Sequence, residues 1–406
     1  MKARVLQVSV SVFLLAIGIA AIAAVSTAMT EGAAGNRDFI AYWAAGQQLV
    51  HGANPYGSKG ILRLEHAEEF TGPQPLIMRN PPLAFFLAWP LGFVNARVGM
   101  MLWLLFLVAS LLASIRMLWA LHGRPKDRLH LLGYVFAPVL ACIMAGQLGI
   151  VLLLGLVLFL YFLESRPFLA GAALLLCAVK PHLFLPFGLV LLVWAFWSKA
   201  YAVLAGAGTT ISASCALSLI LDHRAWPQYA RMMSAAGIQH EFVPSLSLLF
   251  RVAIDHNAVW LQFMPMTAAC AWSLWYFWTR RDHWDWMDHG MLLLLVSVAT
   301  APYAWFTDEV VVLPAMLAAL YRAHNSGRSL FPFGFASGFA LVQVMEQVKL
   351  TSCFYLWTVP AWIGWYLYAT WGERRPFLVS SKLRRSNLGP AAPIPKQVEM
   401  RARTRM

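Results

Sequence analysis

The chain has 406 residues, of which 60% are hydrophobic and only 12% are charged, and its formal net charge is +13. Soluble domains carry roughly 25% charged residues, so this composition excludes a single soluble core. Apolar runs of membrane-crossing length recur along the sequence, and helices satisfy their own backbone in lipid. The sequence therefore predicts an all-α, polytopic membrane protein.

The first apolar segment, 5–28, follows Lys2 and Arg4. It fits either a signal peptide or an uncleaved first helix, and its length favours the helix. We interpret the proline-containing segment 81–93 as re-entrant or interfacial, because it is short for a crossing. About twelve transmembrane spans are then predicted, at 5–28, 98–121, 129–145, 148–163, 167–180, 183–198, 201–221, 263–279, 289–306, 308–322, 330–346 and 352–371.

The basic residues orient these spans. With the N-terminus inside, nearly every cytoplasmic loop is rich in Lys or Arg, as the positive-inside rule requires. A crossing by 81–93 would reverse this pattern. We therefore predict a multi-pass protein of the plasma (inner) membrane with both termini cytoplasmic. Residues 1–371 form the transmembrane domain, with long extracytoplasmic loops at 29–97 and 222–262, and residues 372–406 form a basic, disordered tail.

Metal and nucleic-acid binding are not predicted. The five cysteines lie in or beside apolar runs without metal spacing, so we assign them to packing. The segment "DHWDWMDH" (282–289) resembles a metal motif, but it falls on the predicted cytoplasmic side beside Arg280 and Arg281. We interpret it as a solvated loop. The positive charge lies largely in the tail and reflects membrane orientation rather than a nucleic-acid surface.

Asp38 is the first acid after the first span, in "GNRDFIAYWAAGQQLVHGANPY" (35–56). One interpretation is a helix N-cap that accepts backbone amide hydrogens. The other is functional, because Arg37, Tyr42, Trp43 and Gln47 follow or flank it and would form a polar, aromatic face near the membrane surface.

Further polar candidates lie on the same predicted side. Arg79, in "MRNPPL", is a candidate partner for an anion, although the proline pair beside it also serves to stop a helix. Gln147, in "AGQLG", is either a hydrogen-bonded turn residue or a contact for a sugar hydroxyl. Arg224, Arg231 and His240 belong to the long loop 222–262, which is either a solvated loop with an interfacial helix or a cover over substrate.

Lys180 interrupts apolar sequence on both sides, and Pro181 breaks the helix after it. Its ammonium either snorkels to the interface or sits at a helix break where it would meet a phosphate near the lipid surface. Asp308 and Glu309 follow "PYAWFT" at the outer end of two spans. They are either solvated turn residues or substrate-binding residues that face the same compartment as Asp38.

These residues suggest one reaction type. A single carboxylate beside cations suits transfer of a sugar from a lipid phosphate, since the carboxylate deprotonates the acceptor hydroxyl and the cations stabilise the departing phosphate. Inverting displacement requires one base, in contrast to the carboxylate pair of a retaining hydrolase.

The sequence resembles glycosyltransferase family 87 of the GT-C superfamily. The resemblance rests on the ordered segments "RDFIAYWAAGQQLVHGANPY", "RNPPLAFFLAWPL", "GQLGIVLLLGLVLF", "RPFLAGAALLLCAVKPHLFL", "PSLSLLFR" and "APYAWFTDEVVVLPAM". It implies a GT-C-like helical bundle, a polyprenyl-phosphate-linked sugar as donor (usually mannose), no metal or other cofactor, and a general base in the first extracytoplasmic loop, which is Asp38 here. We expect a glycolipid or a polysaccharide as the acceptor, and we expect membrane lipids around the protein.

One segment departs from the family pattern. After its Ser-Pro-x-x-Trp motif the family commonly has histidine, whereas this chain continues from Trp305 with Phe306, Thr307, Asp308 and Glu309. Two other functions stay open from the residues alone. A secondary transporter would place ionisable residues at the bilayer midplane and often show paired halves. A non-catalytic membrane scaffold would need neither the long first loop nor Asp38.

Overall fold

The computed structural model describes residues 35, 37–235, 243, 245–350 and 352–372. Within these residues the regular secondary structure is helical throughout, as the composition predicts. The predicted first span, 5–28, and the basic tail beyond residue 372 lie outside the described residues.

The helices follow one another with short connections. The α-helices of the described residues are α1 (Phe39–Val50), α2 (Ser58–Ala67), α3 (Phe85–Ala88), α4 (Ala96–Leu121), α5 (Ala137–Ala145), α6 (Gly149–Phe162), α7 (Pro167–Ala178), α8 (Leu185–Trp197), α9 (Tyr201–Leu221), α10 (Ala225–Ala235), α11 (Leu246–Ile254), α12 (Met264–Trp278), α13 (His289–Ala299), α14 (Leu313–Asn325), α15 (Phe331–Met345) and α16 (Thr358–Thr370). Short 3₁₀ helices join several of them, at Pro82–Ala84, Trp89–Phe93, Leu129–Val135, Pro181–Leu183, Val259–Phe263, Arg281–His283, Phe306–Val312 and Cys353–Tyr355.

Two helices of the described residues are long and apolar enough to cross a membrane, α4 with 26 residues and α9 with 21. They coincide with the predicted spans 98–121 and 201–221. Helices α6, α7 and α8 have only 14, 12 and 13 residues, fewer than the roughly 20 that a straight crossing needs. The helical class is confirmed, and the count of twelve crossings stays a prediction.

Helices α7 and α9 pack with their backbones in contact. A Cβ atom on Gly171 would collide with the carbonyl oxygen of Val203, and one on Gly206 would collide with that of Phe168. Small residues permit this close approach, which is how helices associate in lipid, where the hydrophobic effect does not drive helices together.

The segment 81–93 is a kinked run of the 3₁₀ helix Pro82–Ala84, α3 and the 3₁₀ helix Trp89–Phe93. Proline supplies no amide hydrogen, which explains the breaks at Pro82 and Pro90. Twelve helical residues rise by about 20 Å. That is less than the roughly 30 Å of a hydrocarbon core, so the segment is too short to cross alone.

Helix α1 packs into the protein rather than lying on its surface, and nine of its twelve residues are buried. Gly46 allows the close approach of Ala88 and Gly92. Trp43 Nε1 and Gln47 Nε2 both donate to the Val94 carbonyl oxygen, at 2.9 and 3.0 Å. The predicted single polar face of Arg37, Tyr42, Trp43 and Gln47 is therefore wrong, because Trp43 and Gln47 bond to Val94 whereas Tyr42 bonds to Gln147.

The 3₁₀ helix Phe306–Val312 lies at the centre of the bundle, and all seven of its residues are buried. The ring of Phe306 stacks on Tyr355, with 4.4 Å between centroids, and the element packs against α5 and α6. Since it carries Asp308 and Glu309, it brings two carboxyl groups into the interior.

Candidate active site

Asp38 directly precedes helix α1, in the N-cap position. Its backbone is already helical, with φ −60° and ψ −21°, and its side chain makes no capping hydrogen bond. The carboxylate instead accepts a hydrogen bond from Gln147 Nε2 at 2.5 Å. The N-cap interpretation therefore does not describe this side chain, which turns towards the loop between α5 and α6.

Gln147 connects Asp38 to Tyr42. Its Oε1 atom accepts from the Tyr42 hydroxyl at 3.0 Å, while its amide nitrogen donates to Asp38. The turn that presents Gln147 depends on Gly146, which has φ +69° and ends α5. Trp103 Nε1 donates to the Gly146 carbonyl oxygen at 2.8 Å. Gln147 is thus fixed at both the backbone and the side chain.

The surroundings of Asp38 make its carboxylate a stronger base. Burial raises the pKa of Asp38 above its ordinary value, because the protein solvates the charged form less well than water does. The Gln147 hydrogen bond and the positive charge of Lys180 oppose this rise, and the negative charge of Asp308 adds to it. A base of raised pKa accepts a proton more readily.

Lys180 follows the end of α7 and precedes the short helix Pro181–Leu183. It is only 7% exposed, and its Nζ atom lies 2.7 Å from Asp308 Oδ1. The Trp305 ring lies 5.6 Å from the same ammonium. The side chain therefore does not snorkel to water but ends in a buried ion pair.

Asp308 and Glu309 are both buried, so neither is a solvated turn residue. Asp308 Oδ2 also accepts from the Trp305 backbone amide at 3.2 Å. Glu309 turns the other way and accepts from Thr358 Oγ1 at 2.6 Å and from Trp362 Nε1 at 2.7 Å. Although they are adjacent in sequence, these two acids therefore bond to different parts of the fold.

A cavity of about 1000 Å³ lies in front of Asp38. Among the described residues that line it are four cations and a single carboxylate, that of Asp38. The cations are Arg37, Arg79, Lys180 and Lys349. Tyr42 and Gln147 also line it. The cavity is therefore electropositive around one base, which suits an anionic ligand.

The wall that carries Arg79 is an extended segment, residues 74–81, tied down at several points. The Tyr56 hydroxyl donates to the Asn80 carbonyl oxygen at 2.8 Å, and Asn80 Nδ2 donates to the Val179 carbonyl oxygen at 3.0 Å. Both carboxylate oxygens of Glu65 accept from the Leu76 amide at 3.1 Å. These bonds hold the segment beside the turn that carries Lys180.

Some candidate residues lie away from the cavity. Arg224 and Arg231 are exposed and do not line it; from the same part of the chain, Tyr229 and Met233 do. Glu309 does not line the cavity and bonds to α16. Asp308 does not line it either and is paired with Lys180. His240 lies outside the described residues. In the segment 282–289, Asp288 pairs with Arg322, with 2.5 Å between Asp288 Oδ1 and Arg322 Nη2.

The structure adds residues that the sequence did not single out. His182 lies against Tyr303, with 4.0 Å between ring centroids. Both line the cavity, as do Trp305, Thr307 and Lys349. Burial lowers the pKa of His182 to about 3, so its imidazole is neutral. The motifs "KPH" and "PYAWFT" contain most of these residues, but no local signal tells which of their side chains reach the cavity.

The described residues form a helical protein with two helices of membrane-crossing length and an electropositive cavity that the carboxylate of Asp38 lines. A family model, that of glycosyltransferase family 87, matches residues 79–298. The chain belongs to this family and is a glycosyltransferase. The matched region contains Arg79, Gln147 and Lys180, whereas Asp38 precedes it and Asp308 follows it. No match was found among curated proteins or among solved structures.

Proposed function

We propose that this glycosyltransferase moves a sugar, mannose or another hexose, from a polyprenyl-phosphate donor to a lipid or polysaccharide acceptor on the extracytoplasmic face. Asp38 is the general base, and the configuration at the sugar carbon is inverted. The observation that carries the proposal is a single cavity-lining carboxylate among four cations in the described residues. Family membership supports the transferase class.

The reaction balances with one base. The acceptor hydroxyl gives its proton to Asp38 while its oxygen forms a bond to the anomeric carbon. The bond between that carbon and the phosphate oxygen breaks, and its electron pair leaves with polyprenyl phosphate. Asp38 later returns the proton to water. The lipid-linked sugar phosphate is the co-substrate, and no other cofactor enters these steps.

The cations and the apolar wall of the cavity suit such a donor. We expect Lys180 to contact the phosphate, since this cation lines the cavity together with Asp38. On another side the lining is apolar and comes from α5 and from α15 with the turn after it, at Ala141, Met144, Ala145, Val344 and Val348. The outward face of α15 is apolar and exposed, including Phe335 and Phe339. An isoprenoid chain fits a wall of this chemistry at the edge of lipid.

The aromatic residues suit a sugar ring. Tyr303 and Trp305 line the cavity with 6.3 Å between their ring centroids, and apolar ring faces pack against the C–H groups of a pyranose. His182 Nε2 has no hydrogen-bond partner among the described residues. As a neutral imidazole it is available to a sugar hydroxyl once the ring shifts.

A transporter would also have buried ionisable residues, and the pair Lys180–Asp308 is such a feature. Membership of a glycosyltransferase family supports the enzyme over this alternative. Transfer of labelled sugar and uptake of free solute are separable measurements on the same proteoliposomes.

The test is transfer from polyprenyl-phosphate mannose by the purified protein in nanodiscs, with an extract of native membranes as acceptor. The Asp38→Asn variant should lose roughly 10²- to 10⁴-fold in turnover, the usual contribution of a general base. Its affinity for the donor should stay near that of the wild type. Asp282→Asn is the matched control, because that side chain is 70% exposed. Full turnover by Asp38→Asn would remove Asp38 from the mechanism.

A further inference from the structure

Asp308 is fully buried and does not line the cavity, whereas its partner Lys180 does. Both carboxylate oxygens of Asp308 are engaged. Oδ1 is 2.7 Å from the Lys180 ammonium, and Oδ2 accepts from the Trp305 amide. The acid therefore has no free oxygen and no surface to offer a substrate, so a substrate-binding role does not fit its place behind Lys180.

We propose that Asp308 is a positioning residue for sugar transfer, which holds the Lys180 side chain at the cavity that Asp38 also lines and so sets the balance of charge around Asp38. The inference rests on the proposed role of Asp38 as base. It departs from the sequence-based assignment of Asp308 to substrate binding.

The physical basis is the position of two opposite charges behind one base. Several elements bring polar and titratable side chains to the region of Asp38. These are Arg37 and Tyr42 from its own segment, Cys142 and Gln147 from α5 and the turn after it, Lys180 from the turn after α7, and Asp308 from Phe306–Val312. Arg79 and Lys349 line the same cavity. Of these, the Lys180 charge lowers the pKa of Asp38 and the Asp308 charge raises it.

The two charges act on the pKa of Asp38 in opposite directions. Removing one charge should therefore shift this pKa one way, and removing the other should shift it the other way. Asp308→Asn keeps an oxygen that accepts from Lys180 but loses the negative charge. The Lys180 charge then acts without compensation, and the pKa of Asp38 falls. Lys180→Met removes the positive charge, and the pKa rises. The double variant Lys180→Met with Asp308→Asn should return towards the wild type.

The experiment is the pH profile of turnover with polyprenyl-phosphate mannose as donor. Activity falls at low pH as the base becomes protonated, so the acidic limb reports Asp38. We expect Asp308→Asn to move this limb to lower pH by on the order of half to one unit, less than the 1–3 units of a directly adjacent charge. Lys180→Met should move it upwards. Glu309→Gln is the matched control, since Glu309 bonds to α16. The acidic limb of the pH profile of this variant should not move.

A purely structural role would reduce activity at every pH without moving the limb, and that result for Asp308→Asn would overturn the proposal. An infrared titration of the carboxyl band, assigned to Asp38 by its loss in Asp38→Asn, measures the same protonation without turnover. If the wild type transfers no sugar, the proposed function fails, and the infrared shift still tests the coupling. If the Asp38 carboxyl band titrates at the same pH in Asp308→Asn and in Lys180→Met as in the wild type, that result would also overturn the proposal.

Discussion

The side-chain amide of Gln147 donates to the carboxylate of Asp38 although 109 residues separate them in sequence. The same amide accepts from Tyr42, so the orientation of the Gln147 carboxamide is defined by two bonds. The Asp38 carboxylate, which lines the cavity, is thereby held by a side-chain amide rather than by the backbone amides of α1.

Loss of the hydrogen bond from Gln147 should leave the Asp38 carboxylate without a fixed orientation. We expect Gln147→Ala to lower turnover roughly 10- to 100-fold, because a hydrogen bond to a charged group contributes about 1.5–3 kcal/mol. Tyr42→Phe, which leaves the Asp38 contact in place, should cost only a few-fold. Steady-state kinetics on both variants would check this order. A larger loss in Tyr42→Phe would point to direct contact between that hydroxyl and substrate.

Lys180 should control donor affinity. In Lys180→Met we expect weaker binding of polyprenyl phosphate, measured by thermal stabilisation or calorimetry in detergent. Lys180→Arg keeps the charge and should be milder. Lys59→Met is a suitable control, because this lysine is exposed and does not line the cavity. An unchanged dissociation constant in Lys180→Met would leave the lysine with a structural role in its pair with Asp308.

The apolar wall should recognise the donor's chain. Ala141 and Ala145 are small residues of α5 that line the cavity, and tryptophan at either position would fill space beside α15. We expect Ala145→Trp to raise KM for a long-chain polyprenyl-phosphate sugar and to affect a short, water-soluble prenyl analogue much less. Comparable effects on the two donors would mean that the isoprenoid chain binds elsewhere.

The contact between α7 and α9 should tolerate no side chain at Gly171. Gly171→Ala adds a methyl group against the Val203 carbonyl oxygen, and overpacking of this kind costs roughly 1–3 kcal/mol. We expect a lower melting temperature and less folded protein. Gly188→Ala is the control, since a Cβ atom there has no neighbour within 4 Å. Equal stability of the two variants would contradict the close helix contact.

Glu65 should make stability depend on pH. Burial raises the pKa of Glu65 to about 7, from the ordinary 4.5 of a glutamate side chain. Between these values the folded state binds more protons than the unfolded state, so its contribution to stability is present at low pH and is lost as pH rises through about 7. Glu65→Gln, which is neutral throughout, should therefore show a smaller fall in melting temperature between pH 5 and pH 8. Identical pH dependence in both proteins would exclude Glu65 as the cause.

The sequence alone was sufficient for the class and for part of the site. Long apolar runs predict helices because lipid leaves the backbone no other partner, and α4 and α9 lie where those runs predict them. Polar residues that interrupt apolar sequence, such as Gln147 and Lys180, stand out at helix ends. Both line the cavity with Asp38 and Arg79, and their binding roles stay predictions.

The tertiary structure decided which way the remaining side chains face. Asp308 and Glu309 are neighbours, yet one binds Lys180 and the other binds Thr358 and Trp362. Arg224 and Arg231 stay exposed while Tyr229, between them, lines the cavity. A sequence pattern fixes the period of a helix, but the rotation of that helix depends on packing with elements that are distant in sequence. The partner of a buried charge is therefore determined only when the helices have packed.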